Sequence, residues 1–499
     1  MALTVSGRVN AGFAAKDITP KMGAHLAGSG AGLHRPAQTV IDRLYARAAV
    51  FKDEATTLVV LELDVTLISG EYADKIASGV MKALSVPREN VMVMGTQTHS
   101  APMLGYCSVD EDYPLEIPEN REYIKGGERE YSDFAAEQAI EAAIEAAAKV
   151  RPLKMQFARG MKRDLAFNRR VISRITTGAD EDDALSYKNG LALEKGKIVM
   201  PFPVDNMALR NPAGPDYISH VEGPIDDEVL VGCFIDEEMQ IESLMLNFTC
   251  HPVNAFCNSA TFYAVSADWC GSWAKLAGER LRANALPLVI NGCCGNTNPI
   301  DPYKPDMVLS PKDMGEKLTA LTETMVHNMR FDGGEDVKLS AALEWLELDY
   351  RTITAEREKE VEEILGDHPE CPKYMPNGEL DADWFCAMST RSVQLLQKRE
   401  PNFRYPVQVF RIGDLAIVAL AGEPFSEGQL DLKLRSPAPL TVVGHMANKY
   451  VGYIPVAAGC ERGGLEAHPK VTYWSKLAPD SLEKIVDTSI SLLNKLFED

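Results

Sequence analysis

The chain has 499 residues, of which 45% are hydrophobic and 25% are charged, and its formal net charge is −21 at pH 7. These proportions are those of an ordinary globular protein that is long enough to bury a large core. The excess of acidic residues argues against nucleic acid and anionic membranes as partners, because both are bound by clustered Lys and Arg. We therefore expect a small-molecule substrate, no nucleic acid and no membrane insertion.

The N-terminal sequence and the cysteines indicate a cytoplasmic protein. Residues 1–20 lack the basic segment and the apolar run of a secretory signal. No stretch of the sequence approaches the ~20 apolar residues of a membrane-spanning helix. The cysteines have no regular spacing, and we expect them to be reduced thiols. A homo-oligomer is a further expectation, because closed symmetric assemblies are common among soluble proteins.

Strand-like and helical patterns alternate along the chain. In chain order they predict a strand over 57–65, a helix over 72–84, a strand over 90–95, a helix over 133–150, strands over 229–235 and 243–249, a helix over 271–284, a strand over 286–292, helices over 311–329 and 354–366, and strands over 415–422 and 440–446. The strand runs are nearly continuous in Val, Ile and Leu, which is typical of strands buried on both faces. The alternation predicts an α/β fold with a mixed β-sheet core flanked by helices.

Two long segments have no periodic pattern, namely residues 171–225 and 367–385, which contain turn signals such as NPAGP. Loops of this length in a compact domain are usually lids or binding loops. We find no internal repeat and no clear linker, so residues 1–499 are predicted to form one large domain.

Reactive side chains follow most of the predicted strands. They are Asp64, His99, His251, Asn296, Asn298, Glu423 and Tyr453. Ligands of open α/β sheets bind outside the carboxyl ends of the strands, so we expect these side chains to meet. His, carboxylate and phenol groups suit a zinc-like ion with an open coordination position. Each residue alone has a structural explanation as well; Asp268, for example, either caps the helix that follows it or reaches the site.

Several stretches of the chain form an ordered set of motifs, namely AGFAAKDITP with HRPAQTVIDRLYARAAVF, NVMVMGTQTHSAP, NRR at 168–170, NFTCHPV, GNTNP, AGEPF, and GYIP with GGLE at 463–466. In the same order, they resemble motifs of the catalytic domain of the neutral/alkaline ceramidase superfamily. The resemblance implies that family's fold and a zinc ion, held by two His, a Glu and a Tyr, that activates hydrolysis of an N-acyl amide. Carried over residue by residue, it places metal ligands at Gln97, His251, Glu423 and Tyr453, a substrate-facing histidine at His99 and an active-site arginine at Arg169.

The chain departs from the family pattern at three of these positions. Gln97 stands in place of a zinc histidine, and a neutral amide is a poor zinc ligand, so either Gln97 or His99 would complete the metal site. Asn298 stands in place of the nucleophilic serine, and an amide cannot attack a carbonyl. Leu465 replaces a tyrosine. The family's C-terminal β-sandwich and secretion signal are not expected either, which argues against membrane ceramide as the substrate.

The first interpretation is a hydrolase that cleaves an N-acyl amide or ester of a small polar substrate by a water activated by zinc or another divalent metal, without a covalent intermediate. His99 would be the acid or base and Arg169 would stabilise developing negative charge. The residues expected to orient the substrate are Gln97, Asn168, Asn296, Asn298 and Glu466.

Two other interpretations stay open. Without a metal, the site would contain the acid/base pair of a glycoside hydrolase or another carbohydrate-active enzyme. The candidates for that pair are Asp64, His99, Asp268 and Glu423. The third interpretation is a non-catalytic relative that binds a ligand, because a fold outlives its original chemistry in many families.

Overall fold

The structure is a computed structural model that describes residues 5–29, 33–174, 195–198, 218–304, 307–331, 334–376, 378 and 380–498. Most of the irregular segment predicted at 171–225 therefore lies outside the described residues. Within the described part of the chain, no helix is long and apolar enough to cross a membrane.

The described residues form strands and helices in alternation. The strands are β1 (Val5–Asp17), β2 (Thr39–Val40), β3 (Tyr45–Lys52), β4 (Thr57–Leu63), β5 (Val91–Gly95), β6 (Arg151–Met161), β7 (Phe167–Asn168), β8 (Val171–Ser173), β9 (Ile218–Val221), β10 (Glu228–Ile235), β11 (Ile241–Phe248), β12 (Ala264–Val265), β13 (Leu288–Asn291), β14 (Thr297–Asn298), β15 (Leu339–Leu348), β16 (Phe403–Ile412), β17 (Leu415–Leu420), β18 (Glu423–Pro424), β19 (Leu440–Gly444) and β20 (Tyr453–Ile454). The α-helices are α1 (Gly70–Leu84), α2 (Arg129–Ala148), α3 (Asp268–Leu281), α4 (Pro311–His327), α5 (Ala355–Leu365), α6 (Ala382–Arg399), α7 (Ser426–Arg435), α8 (Ala457–Arg462) and α9 (Ser481–Phe497).

Two mixed sheets form the core. The larger has eight strands in the order β13-β11-β10-β6-β1-β3-β4-β5, and the smaller has four in the order β15-β16-β17-β19. Most neighbouring strands are antiparallel, but β4–β5, β11–β13 and β17–β19 are parallel pairs. This mixed topology, with helices between strands, confirms the predicted α/β fold with a mixed sheet core.

The two sheets stack face to face between two layers of helices. Val59 of β4 packs in the cluster that includes α1 and α2, whereas its neighbour Val60 packs in the cluster shared with the smaller sheet. Ile417 of β17 belongs to the same shared cluster, and Val418 faces α7 and α9. Because side chains alternate along a strand, a strand inside such a stack buries both of its faces. This explains the continuous apolar runs in the sequence.

All the strands and helices predicted from the sequence are present, with boundaries shifted by a few residues. One correction concerns the segment predicted to be irregular at 367–385, because α6 begins inside it at Ala382. The Asp381 carboxylate accepts a hydrogen bond from the backbone N–H of Trp384, and this cap starts the helix.

Candidate functional site

The carboxyl ends of β5, β11, β13, β17 and β19 meet at one place, where the two sheets come together. The backbone N–H of His445, just past β19, donates to the carbonyl oxygen of Asn291 at the end of β13. The short strands β18 and β20 then pair in parallel, with Glu423 and Tyr453 as register partners. Loops from both sheets thus bring the predicted side chains together, as the position of reactive residues after strands indicated.

His251 and Glu423 form the centre of this site. Nδ1 of His251 lies 2.5 Å from the carbonyl oxygen of Cys294 and 3.1 Å from that of Thr297. Since a carbonyl oxygen only accepts, the ring proton is on Nδ1 and the lone pair is on Nε2. That Nε2 lies 3.3 Å from Oε2 of Glu423, and both atoms are buried with no hydrogen-bond partner.

The surroundings keep the ring of His251 neutral and disfavour a charged Glu423. Burial lowers the pKa of His251 to about 3. Burial also raises the pKa of Glu423, although the nearby Arg169 opposes that shift. Two buried atoms with lone pairs 3.3 Å apart repel each other unless a proton or a cation lies between them. The pair therefore has the geometry of a site for a cation or a shared proton.

His99 lies beside this pair and keeps part of its surface exposed. Its ring centroid is 5.4 Å from that of His251, and its Nδ1 donates to the carbonyl oxygen of Gly28 at 3.1 Å. A side chain at Gly28, where φ is +87°, would collide with the His99 ring, so only glycine allows this contact. Burial lowers the pKa of His99 to about 3, so Nε2 of this ring is a free base at neutral pH.

Gln97 has a left-handed backbone conformation with φ of +67°. Non-glycine residues are uncommon there and cluster at functional sites. Its side-chain amide lies close enough to Glu423 to lower the pKa of that carboxyl, and Nε2 of His445 is 2.8 Å from Oε1 of Gln97. The Sγ atom of Cys294 is 3.5 Å from the same oxygen.

His445 is a site residue that the sequence analysis missed, because it lay inside the predicted strand at 440–446. The strand ends at Gly444, so His445 follows a buried strand as His99 and His251 do. The rule that reactive side chains follow buried strands identifies His445 once the strand is ended at Gly444. Cys294 also reaches the site, with Sγ 3.6 Å from Nε2 of His445, whereas Cys293 packs in the core around β17.

Arg169 is held at the edge of the site by Glu466. Nε of Arg169 lies 2.8 Å from Oε1 of Glu466, and Nη2 donates to the carbonyl oxygen of Gly295 at 2.8 Å. The guanidinium also lies 5.5 Å from the ring centre of Tyr453. The other oxygen of Glu466 pairs with Arg170 at 2.8 Å. Glu466 thus is the ion-pair partner of Arg169, and Arg169 also favours the charged form of Glu423.

The three asparagines predicted to bind substrate differ in what they contact. Asn168 accepts from the backbone N–H of Arg170 and donates to the carbonyl oxygen of Pro224. Asn296 accepts from the backbone N–H of Ser426 and donates to Glu427, so it caps α7. Asn298 uses its oxygen to accept from the N–H of Ile300, but its Nδ2 is buried without a partner. Of the three, Asn298 is the one whose amide nitrogen has no hydrogen-bond partner among the described residues.

Asp64 and Asp268 are engaged in contacts that hold the framework. Asp64 is fully buried, pairs with Arg47 at 2.9 Å, and accepts from the backbone N–H of Tyr45. Asp268 has a φ of +56° and accepts from the backbone N–H groups of Ala255 and Trp269. Burial raises the pKa of Asp268 to about 7. These contacts make both carboxylates structural in the geometry seen, and neither hydrogen-bonds a residue at the His251–Glu423 centre in the described part of the chain.

One pair of side chains in this site has the spacing of two metal ligands. Among the described residues, no three His, Cys, Asp or Glu side chains form a group that could hold a metal ion. His251 and Glu423, however, are 3.3 Å apart, and two ligands of a tetrahedral zinc ion are also about 3.3 Å apart when each metal bond is about 2.0–2.2 Å. The pair fits one edge of such a site. Tyr453, together with Gln97 or His99, would have to supply the other ligands.

Comparison with solved structures gives matches along almost the whole chain. The neutral ceramidase of Pseudomonas aeruginosa matches with a TM-score of 0.66 and 16% sequence identity, over 100% of this chain and 75% of that one. A structure described as ceramidase complexed with C2 matches with a TM-score of 0.66 and 16% identity, over 99% of this chain and 76% of that one. No protein-family model and no curated protein sequence matches the chain. The chain therefore has the neutral ceramidase-like fold that its motifs implied.

Proposed function

We propose that this protein is a hydrolase that cleaves an acyl amide or ester bond in a small polar substrate at the site around His251 and Glu423. The observation that carries the proposal is the buried, unpartnered pair formed by His251 Nε2 and Glu423 Oε2. Unpaired buried polar atoms are costly, and they concentrate where a ligand or ion completes them. The solved ceramidase structures with this fold support hydrolysis as the reaction class.

The residues that would hold a divalent ion are His251, Glu423 and Tyr453, with Gln97 or His99 as the fourth ligand. When bound, such an ion supplies Lewis-acid polarisation of the scissile carbonyl and lowers the pKa of water. His251 is prepared for this role because its Nδ1–H donates to two carbonyl oxygens, which fixes the lone pair on Nε2 toward Glu423.

The other side chains have roles that follow from their contacts. In this proposal Gln97 is the fourth ligand, and His99 takes a proton on Nε2, whose lone pair is free because Nδ1 donates to the carbonyl oxygen of Gly28. Arg169, positioned by Glu466, stabilises negative charge that develops on the substrate oxygen. Asn298 donates from its unpartnered Nδ2 to the same carbonyl. The nucleophile in this proposal is water rather than a serine side chain.

The geometry does not favour the glycoside hydrolase alternative. That mechanism needs two carboxyl groups free to face the scissile bond from both sides. Asp64 is paired with Arg47, and Asp268 holds the backbone of the 254–255 loop. Glu423 is then the one candidate carboxylate at the centre, so the acyl hydrolase is the proposal that this site supports best.

The test combines metal analysis with a substrate screen. The purified chain would be assayed for bound zinc and other divalent ions, then screened against N-acyl amino acids, short acyl amides and short acyl esters, before and after chelation and after metal return. We expect hydrolysis of at least one of these classes and its loss in Glu423→Gln. The matched control is Glu137→Gln, which removes an exposed carboxylate on α2. Turnover that survives Glu423→Gln, or no turnover of any class by the metal-loaded protein, would refute the proposal.

A further inference from the structure

Arg35 is a buried charged residue that the mechanism above does not use. Its side chain is fully buried, and it has no carboxylate partner among the described residues. Its nitrogens donate to backbone carbonyl oxygens instead. Nε and Nη2 donate to that of Phe262 at 3.2 and 2.5 Å, and Nη1 donates to those of Ala27 and His99, each at 2.9 Å. The guanidinium carbon lies 4.7 Å from the ring centre of Phe256 and 4.3 Å from that of Phe262.

A charged side chain in this position is expensive for the fold. A guanidinium is always charged, and hydrogen bonds to carbonyl oxygens recover only part of the cost of removing that charge from water. An apolar side chain would fill the space between two phenylalanine rings without this cost. The feature that an arginine supplies in addition is a rigid planar group with several donors in fixed directions. These donors fix the placement of the carbonyl groups that Arg35 binds.

The backbone around Arg35 already pairs with the segment that contacts His99. Residues 33–37 lie antiparallel to residues 24–29, and the backbone N–H of Leu26 donates to the carbonyl oxygen of Arg35 at 2.7 Å. The side chain of Arg35 then reaches from these paired segments to the backbone of His99. Arg35 therefore ties the paired segments to the chain that carries the proposed base.

The two acceptors of Nη1 belong to the two stretches of chain that hold the ring of His99. One acceptor is the carbonyl oxygen of His99 itself, and the other is that of Ala27, the residue before Gly28. The carbonyl oxygen of Gly28 accepts from Nδ1 of His99 at 3.1 Å. The N–H of Ala27 also donates to the carbonyl oxygen of Ala101 at 2.9 Å. Because one nitrogen of Arg35 binds both carbonyl groups, it sets how far Gly28 lies from the backbone of His99.

This distance determines which nitrogen of His99 is available. While the Gly28 carbonyl lies at Nδ1, the ring proton stays on Nδ1 and the lone pair stays on Nε2. We propose that Arg35 is a positioning residue for the His99 base, because it holds the Gly28 carbonyl against Nδ1 and so keeps the Nε2 lone pair open to the substrate. This inference rests on the role of His99 in the proposed function, and it adds the residue that prepares His99 for that role.

The test compares Arg35→Met with the parent chain. Methionine keeps apolar contact with the two phenylalanine rings but has no hydrogen-bond donor. NMR of chains labelled with ¹⁵N-histidine shows which ring nitrogen carries the proton, and His99→Gln identifies the signals of His99. We expect the proton on Nδ1 in the parent and a mixture of both neutral tautomers in Arg35→Met. On an acyl substrate, kcat should fall by about 10–100-fold with KM changed less than about twofold, because a small misplacement of a reacting group slows the reaction more than it weakens binding.

Arg88→Met is the matched control. Arg88 donates to the carbonyl oxygen of Val91 at 2.7 Å, at the start of β5 and thus at the end of that strand opposite to the site. This control should leave the His99 tautomer and kcat unchanged, whatever its effect on the unfolding temperature. If Arg35→Met does not fold, the same measurements are made on Arg35→Lys, which keeps the charge but donates from a single nitrogen.

A tautomer that stays on Nδ1 in the folded Arg35 variant, or a fall in kcat without a change of tautomer, would overturn this inference. A changed tautomer with full turnover would support the positioning of the ring by Arg35 and refute the role of His99 as the base. If the parent chain hydrolyses no acyl substrate, the proposed function fails, and the tautomer measurement still decides whether Arg35 positions His99.

Discussion

Glu466 forms ion pairs with two arginines, and we expect its replacement by glutamine to lower the free energy of unfolding. Its two oxygens lie 2.8 Å from Nε of Arg169 and 2.8 Å from Nη1 of Arg170, and all three side chains are almost completely buried. Arg170 has a second partner in Glu222, but Arg169 has Glu466 as its one ion pair in the described part of the chain. Removing the charge would leave a buried guanidinium without its counter-ion.

Breaking a buried pair by removing one partner costs about 3–5 kcal/mol. Glu466→Gln keeps one acceptor oxygen and sets an NH₂ group against the other guanidinium, so we expect a loss of unfolding free energy within this range. Urea denaturation followed by circular dichroism measures it. The control Glu137→Gln, on the exposed face of α2, should change the unfolding free energy by less than about 0.5 kcal/mol.

The pH dependence gives an independent test of the same reasoning. Burial alone would raise the pKa of Glu466, but Arg169 and Arg170 outweigh it and hold this pKa below its ordinary value. A group with a depressed folded-state pKa contributes stability above its unfolded pKa, and this contribution is lost as the pH falls through the folded value. The difference in unfolding free energy between the parent and Glu466→Gln should therefore shrink below about pH 4. A loss under about 1 kcal/mol at neutral pH, or a difference that grows on acidification, would refute this account.

Three shorter predictions concern the site and its framework. His99→Gln should lower kcat on an acyl amide or ester by about 10²–10⁴-fold, because the variant lacks the general base. Thermal unfolding should stay unchanged, and a variant with full turnover would show that His99 takes no part in the chemistry. Because burial holds the pKa of His99 at about 3, kcat/KM measured from about pH 7 to about pH 5 should show no fall with a midpoint near the ordinary histidine value of about 6.5, and such a fall would contradict the assigned burial. Asp64→Asn should lower the unfolding free energy by about 3–5 kcal/mol, because Asp64 pairs with Arg47 away from the centre. The kcat/KM of the folded variant on an acyl substrate should stay unchanged, and a lower kcat/KM with unchanged stability would place Asp64 in the site instead.

The sequence predicts the strands that bury both faces, because most of the side chains on these strands are apolar. It does not show β1 in the same way, since the buried residues on the side of that strand that faces α2 are Gly12 and Ala14 and the others on that side are polar. A side chain at Gly12 would collide with the backbone of α2 near Ala146. The close approach of helix to sheet thus selects small residues, and these lack the hydrophobic pattern of a strand.

The site was predictable to the extent that it depends on position after a strand. His99, His251, Glu423 and Tyr453 converge as that rule indicates. The hydrogen bonds that engage the Asn296 side chain were not predictable from the sequence. Its partners Ser426 and Glu427 are about 130 residues further along the chain, and only the fold brings them together. Local sequence shows which groups can do chemistry, and tertiary contacts decide which of them are free to do it.

A substitution of Asn298 tests whether its side chain acts on the substrate or only holds the local turn. Its oxygen accepts from the backbone N–H of Ile300 at 3.0 Å, whereas its Nδ2 has no partner. Serine also accepts from a backbone N–H two residues on, so Asn298→Ser keeps the turn and removes the free donor. If that donor stabilises the substrate carbonyl, kcat/KM should fall by about 10²–10³-fold while the unfolding free energy changes by less than about 1 kcal/mol.

Steady-state kinetics on the best acyl substrate and urea denaturation give both values. An unchanged kcat/KM would show that Asn298 only shapes the turn. A kcat/KM that rises, together with an acyl group trapped on the new serine, would show that the site still supports attack by a hydroxyl at this position. The residue at position 298 alone, and not the surrounding geometry, would then determine that water is the nucleophile in this protein.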